Sequence, residues 1–268
     1  MNQLIFEDTF QTAVAPRLWS HKRVDGRVTK TERGEKQIYT PDNLYCKAGT
    51  GLVIRPKKAV GTPEPGKLKS DGTPQTYDYT SGQLQGWGMP WFKYGYFEVC
   101  FKPQTLTGGL LAIWLLADNW PCEIDIMEML LSDITKSYQT VHGGPAYPEN
   151  CKKTLLSGGH TVPYDASGYT KAGLLWTPEA LTWYSGKPGN SMNEIGKVTD
   201  PMLIPHVPMY PIINVSMGGS WEGTITDAEL NGNNEFPDQT IRYFRVYDVP
   251  GVTEDEGIEM AQQRMIGA

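Results

Sequence analysis

Apolar residues along this chain recur in short runs of strand length, separated by clusters of Gly, Pro, Asn and Asp. That rhythm predicts β-strands joined by tight turns rather than helices. A first strand is predicted at Leu4, Ile5 and Phe6, and another from Gly51 to Pro56. Residues 57–76, rich in Lys, Gly and Pro, read as an exposed loop. From Tyr94 to Lys102 aromatic, polar and apolar positions alternate, as in a half-buried strand. Leu110 to Leu116 is continuously apolar and suits a central strand; Glu123 to Leu130 follows after a turn at Trp120-Pro121. Ala172–Trp176 and Ala180–Ser185 are predicted to pair around Thr177-Pro178-Glu179, and Ile212–Met217 and Ile241–Tyr247 complete the set. One short helix is predicted over Glu254–Met265, where Ile258, Ala261 and Met265 keep helical spacing. No repeat or linker interrupts the pattern. Residues 1–268 therefore read as one all-β domain, an antiparallel sandwich or barrel, with a short C-terminal tail from about residue 250.

Composition sharpens this picture. The 29 Gly and 20 Pro are spread along the chain, so they mark many turns and not one disordered block. With 8 Trp and 14 Tyr the sequence is too aromatic for a disordered one. A net charge of −6 without any long basic run excludes a nucleic-acid footprint. The longest apolar run, Gly108 to Ala117, is about half the ~20 residues of a membrane span, so no membrane partner is expected. Residues 1–8 carry neither a basic n-region nor a long apolar h-region. The four cysteines, Cys46, Cys100, Cys122 and Cys151, lack C-x-x-C spacing; they read as small buried residues, with one structural disulfide as the alternative.

Chemistry concentrates in Glu123-Ile124-Asp125-Ile126-Met127-Glu128. Strand residues i and i+2 share a face, so Glu123 and Asp125 point together while Ile124 and Ile126 point into the core. Glu128 is out of phase in a regular strand, where it would be a lone buried carboxylate. A β-bulge near Met127 returns it to the carboxylate face. Two carboxyl groups held close suit glycoside hydrolysis with retention, one attacking and the other exchanging a proton. Crowded carboxyls resist joint ionisation, which leaves one able to donate. A plain solvated strand face is the bland alternative; the apolar setting and the aromatic density favour the chemical one. Trp87, Trp91, Trp114, Trp120 and Trp221 are candidate sugar platforms, and each serves equally well as core packing.

The segment Trp120 to Glu128 closely resembles the E-x-D-x-x-E signature of glycoside hydrolase family 16, nearest to its laminarinase-like branch of endo-1,3-β-glucanases. Other segments resemble family strands in the right order: Tyr79-Thr80-Ser81-Gly82, Tyr94 to Glu98, Thr140-Val141-His142, Trp176 to Glu179 with Trp183-Tyr184, Asn214 to Trp221, and Arg245-Val246-Tyr247. The resemblance implies a concanavalin-like jelly roll of two antiparallel sheets with a concave cleft. It also implies Glu123 as nucleophile, Asp125 as the acid that tunes it, Glu128 as acid/base, and His142 near them or in a structural role. The expected partner is a β-linked polysaccharide or oligosaccharide, met by a monomer that works secreted or in the periplasm. No cofactor is expected. The convex-side calcium common in the family falls on Thr9 and Arg242, and an Arg cannot ligate a cation, so no metal is assigned and that calcium site is expected to be absent or rebuilt. Further departures are Leu110-Leu111-Ala112-Ile113-Trp114 for W-P-A-x-W, Gln83 for the Arg of S-G-R, and Thr170 and Leu175 before the W-T-P hairpin. These bear on sugar specificity: laminarin-type 1,3-β-glucan comes first, with mixed-linkage glucan and galactans as alternatives. A transglycosylase, or a non-catalytic glycan-binding sandwich, remains as the competing class.

Overall fold

The computed structural model of the protein describes residues 3–12, 14, 18–22, 26, 28–29, 34–118, 122–143 and 153–255. Two antiparallel sheets face each other. The inner sheet runs in the order β13 (Lys153–Thr161), β12 (Lys136–His142), β11 (Glu123–Leu130), β10 (Gly109–Leu116), β17 (Tyr210–Met217), β7 (Gln83–Gln85). The outer sheet runs β16 (Asn193–Val198), β15 (Leu181–Gly186), β14 (Thr170–Trp176), β9 (Gly95–Lys102), β18 (Gln239–Tyr247), β4 (Gly51–Ile54), β3 (Leu44–Lys47), and β1 (Leu4–Asp8) also pairs with β18. A smaller sheet, β2 (Gln37–Tyr39), β6 (Pro74–Ser81) and β5 (Lys57–Leu68), rises beside the inner one, and β8 (Phe92–Lys93) pairs with β19 (Glu254–Asp255). The expected jelly-roll sandwich is what forms, and no described helix is long and apolar enough to cross a membrane.

Strand alternation explains the layering. On β10, Leu111, Ile113 and Leu115 enter the core between the sheets; on β17, Ile213, Val215 and Met217 do the same. They meet Phe97, Val99 and Phe101 of β9, Leu174 and Trp176 of β14, and Trp183 of β15. The other faces of β10 and β17 present Ala112, Trp114, Leu116, Tyr210 and Ile212, which form a separate cluster on the cleft side. That double coverage is why β10 reads as a continuous apolar run.

Two expectations need correction. Residues 57–76 are no loop: β5 and β6 form a long antiparallel hairpin. Gly61 and Gly66 lie at φ of 77° and 72°, where the pairing register slips, and β5 is the edge strand of its sheet. Left-handed glycines, and prolines on an edge that owes no N–H to a neighbour, are compatible with a strand. The C-terminal helix begins wrongly, since Glu254 and Asp255 pair as a strand with β8; its remaining residues lie outside the described ones. Cys100 and Cys122 are buried, and Cys46 and Cys100 are free thiols; Cys151 lies outside the described residues.

One buried polar contact ties the sheets together. The Trp183 indole Nε1–H donates to the backbone oxygen of Asp125 at 2.9 Å, and Trp183 is fully buried. Trp183→Phe leaves that carbonyl without its indole donor and removes ring volume. The unmade hydrogen bond costs about 1–3 kcal/mol, with a cavity contribution added. The urea midpoint should fall accordingly; an unchanged midpoint would show that the indole contact carries no stability.

Candidate active site

β11 holds one residue more than its neighbours can pair. Against β10, Met127 pairs with Ile113 and Asp125 with Trp114, so Ile126 is the extra residue; against β12 the register slips between Asp125 and Glu128. Ile124, Ile126, Met127 and Met129 all join the core, two of them consecutive in sequence. The phase of the strand thereby reverses after Ile126, and Glu123, Asp125 and Glu128 emerge on one face. The bulge expected near Met127 is present. All three carboxylates line one depression together with Trp114, Asn214, Ser216, Glu35 and Glu222. They are only 8%, 3% and 9% exposed, so their charges interact through protein more than through water.

Cross-strand neighbours complete the acid cluster. His142 of β12 stands opposite Glu123, and its Nε2 lies 3.6 Å from Glu123 Oε1 and 3.5 Å from Asp125 Oδ2. These distances exceed a hydrogen bond but allow a strong ionic attraction when the imidazole is protonated. The Thr140 hydroxyl donates to Glu128 Oε2 at 3.4 Å. Trp114, opposite Asp125 on β10, donates its Nε1–H to Asn214 Oδ1 at 2.8 Å. Asn214 Nδ2 donates in turn to the Tyr39 hydroxyl at 3.1 Å, and Tyr39 donates to Glu35 Oε2 at 3.4 Å. Gln37 Nε2 donates to the same Glu35 oxygen at 2.7 Å, while its Oε1 accepts from the Met217 N–H at 2.8 Å. Burial, then the Glu35 carboxylate, push the Tyr39 phenol well above its ordinary value, so it stays a neutral donor. The Trp114 ring is therefore held by a chain of hydrogen bonds that ends on β17.

The remaining predicted residues divide. Trp87 and Trp91 sit with Tyr210 in one aromatic group, with Trp87–Trp91 centroids 4.9 Å apart and Trp91–Tyr210 centroids 4.8 Å apart. They do not line the acid depression, and Trp91 is largely packing, leaving Trp87 the more accessible ring. Trp221 is half-buried and meets the Tyr138 ring edge-on at 5.2 Å, beside Glu222, which does line the depression. Trp120 lies outside the described residues. Sequence reasoning missed Glu35 and Glu222 as lining residues. Glu222 follows directly on the Asn214–Trp221 segment and was findable there; Glu35 comes from a distant segment that carries no motif of its own.

Glu123, Asp125 and His142 each place one ligand atom within 4.8 Å of the others, a donor set able to hold a small cation. A cation there would occupy the same lone pairs that acid chemistry needs. Of the two positions that the family resemblance assigns to a convex-side calcium, one is Arg242, which is no cation ligand. The Arg242 guanidinium stands 3.6 Å over the Tyr169 ring. Beside Thr9, the Asp8 carboxylate accepts from the Phe10 N–H and from Trp19 Nε1–H, each at 2.8 Å.

Comparison with known proteins agrees with this geometry. An endo-1,3-1,4-beta-glycanase, EglC of Rhizobium meliloti (strain 1021), is 32% identical over 175 residues, which cover 65% of this chain and 34% of that protein. A keratan-sulfate endo-1,4-beta-galactosidase of Sphingobacterium multivorum is 27% identical over 215 residues, 75% of this chain and 45% of the relative. The match thus spans about a third of the first protein and just under half of the second. The catalytic domain of an endo-1,3-beta-glucanase (laminarinase) from Thermotoga petrophila RKU-1 superposes with a TM-score of 0.69 at 26% identity, covering 94% of this chain and 99% of that one. The family model described as Glycosyl hydrolases family 16 matches residues 34–243, most of the sandwich and all of its acid cluster, and the chain belongs to that family.

Proposed function

We propose that this glycoside hydrolase is a retaining endo-β-glycanase that cleaves by double displacement. The observation that supports this most is the bulge at Ile126, which turns Glu123 and Glu128 onto one face of a single depression. Carboxyls about 5–5.5 Å apart permit a covalent glycosyl intermediate, whereas wider pairs leave room for a water between. In the proposed reaction Glu128 gives its proton to the leaving glycosidic oxygen as Glu123 attacks the anomeric carbon. Glu128 then takes a proton from water, which attacks the glycosyl-enzyme and releases Glu123. Asp125 and His142 flank Glu123 and set its electrostatic surroundings. Trp114 is largely buried but lines the depression, and in this proposal its accessible edge meets the sugar ring.

Laminarin-type 1,3-β-glucan is the first substrate of this proposal. The name of EglC, an endo-1,3-1,4-beta-glycanase, makes mixed-linkage glucan the second, and the galactosidase relative makes galactans the third. Gln83 in place of the family's Arg supports testing all three in one reducing-end screen. Transglycosylation would use the same intermediate and would appear as longer products when acceptor sugar is added. In this proposal the enzyme meets its polymer outside the cytoplasm, secreted or in the periplasm, and works as a monomer whose depression is lined by one chain.

The two glutamates should separate on an aryl β-glycoside of the glycan so identified. Glu123→Ala should lose natural turnover and recover it with azide as the inverted glycosyl azide, because the small anion fills the missing nucleophile's place. Glu128→Ala should still form the intermediate from a good leaving group and give the azide with retained configuration. Exchanged configurations would reverse the two roles, and wild-type activity in both variants would return the chain to the glycan-binding class. Asp125→Asn should lower kcat/KM by about one to two orders of magnitude and displace its pH profile, with the thermal midpoint little changed. An unaltered rate and profile would reduce Asp125 to a polar filler.

A further inference from the structure

Glu35 lines two depressions. One holds the acid cluster; the other lies along the β5–β6 hairpin and is lined by Lys36, Gln75, Thr76, Tyr77, Asp78 and Tyr79. The segment carrying Glu35 and Lys36 is fastened to the inner sheet, since the Lys36 N–H donates to the Met217 oxygen at 2.8 Å. β2 then pairs in parallel with β6, which carries the hairpin out from the edge of the cleft. The two depressions thus share Glu35 in their walls, on the side where its segment is fastened to the inner sheet.

We propose that this groove is a distal subsite of the cleft that takes one neutral sugar unit of a β-glycan chain reacting at Glu123 and Glu128. The inference rests on the glycanase reading above and deepens it. The groove encloses ≈ 340 Å³, within the ~300–1,000 Å³ typical of small-ligand sites. Its lining mixes the partly exposed Tyr79 ring, backed by the buried Tyr77, with amide, hydroxyl and ammonium groups, the combination that meets both the C–H face and the hydroxyl edge of a pyranose. The tyrosines are set in place rather than loose. The Tyr77 hydroxyl donates to the buried Glu64 carboxylate at 3.0 Å, and the Tyr79 ring packs on Phe236 with centroids 6.2 Å apart. Burial and Glu64 raise the Tyr77 phenol to about 12, so it remains protonated. Glu35 and Asp78 against Lys36 leave the groove with an excess of carboxylate, which disfavours sulfated or uronic units.

The test is chain length. Oligosaccharides of the identified glycan are assayed one sugar at a time, upward from the shortest that is cleaved, with wild type and with Lys36→Ala/Gln75→Ala. Neither side chain belongs to the acid cluster and neither is buried. In wild type kcat/KM should step up about tenfold at the length that first reaches the groove, the equivalent of two hydrogen bonds. In the double variant that step should disappear, with the shorter chains as its baseline. A step of the same size in both proteins, or none in wild type, would overturn the distal subsite alone. Failure of wild type to cleave any β-glycan would overturn the glycanase reading and the subsite with it.

Discussion

β11 contains a residue that neither neighbour pairs, and the placement of all three acids on the cleft face depends on it. Without the bulge at Ile126, strand alternation would bury Glu128 against the outer sheet and bring Met127 onto the cleft face. With it, Ile126 and Met127 both enter the core and the three acids stay together. A bulge breaks the ladder locally and leaves backbone groups in need of partners. The Trp183 indole, reaching across from β15, supplies one to the Asp125 carbonyl. The core between the sheets therefore does more than bury apolar surface: it fixes the phase of the strand whose other face carries the acids.

The cleft face is ordered by the same logic of neighbours. Each acid has a polar or aromatic side chain opposite or beside it in the ladder: His142 for Glu123, Trp114 for Asp125, Thr140 for Glu128. Trp114 in turn hangs from Asn214, Tyr39 and Glu35, and that network is anchored by the Gln37 contact to β17. Buried polar groups linked this way hold a single geometry, because any member that moves leaves another unpaired at a cost of about 1–3 kcal/mol. The segment leading into β2 thus reaches the acid depression through Glu35, and it is tied to the inner sheet by the Lys36–Met217 backbone contact and by the Tyr39–Asn214 hydrogen bond.

Much of this was legible along the chain, for identifiable reasons. The alternation of Ile124 with Glu123 and Asp125, broken at Met127, announces both a strand and its bulge, since an apolar pair in mid-strand has nowhere to go but the core. The double-faced burial of β10 shows as an unbroken apolar run. The β5–β6 hairpin was not legible, because its glycines and prolines carry the composition of a loop; strand character there comes from edge position and left-handed glycines, which only pairing reveals. Trp91 and Trp87 look alike in sequence and both pack against Tyr210, and only the folded surroundings leave Trp91 buried and Trp87 partly accessible. Glu35 could not be found from a motif, because it reaches the acids through folding of a remote segment.

Retention requires that the bulge bring Glu123 and Glu128 close enough for a covalent glycosyl-enzyme. Proton NMR of freshly formed product reads this directly, because anomers interconvert slowly enough to be seen before they equilibrate. Two displacements at the same carbon return the β-configuration, so the β-anomer should accumulate first. Initial appearance of the α-anomer would mean a single displacement by water between widely spaced carboxyls, and would contradict both the nucleophile and the role given to the bulge.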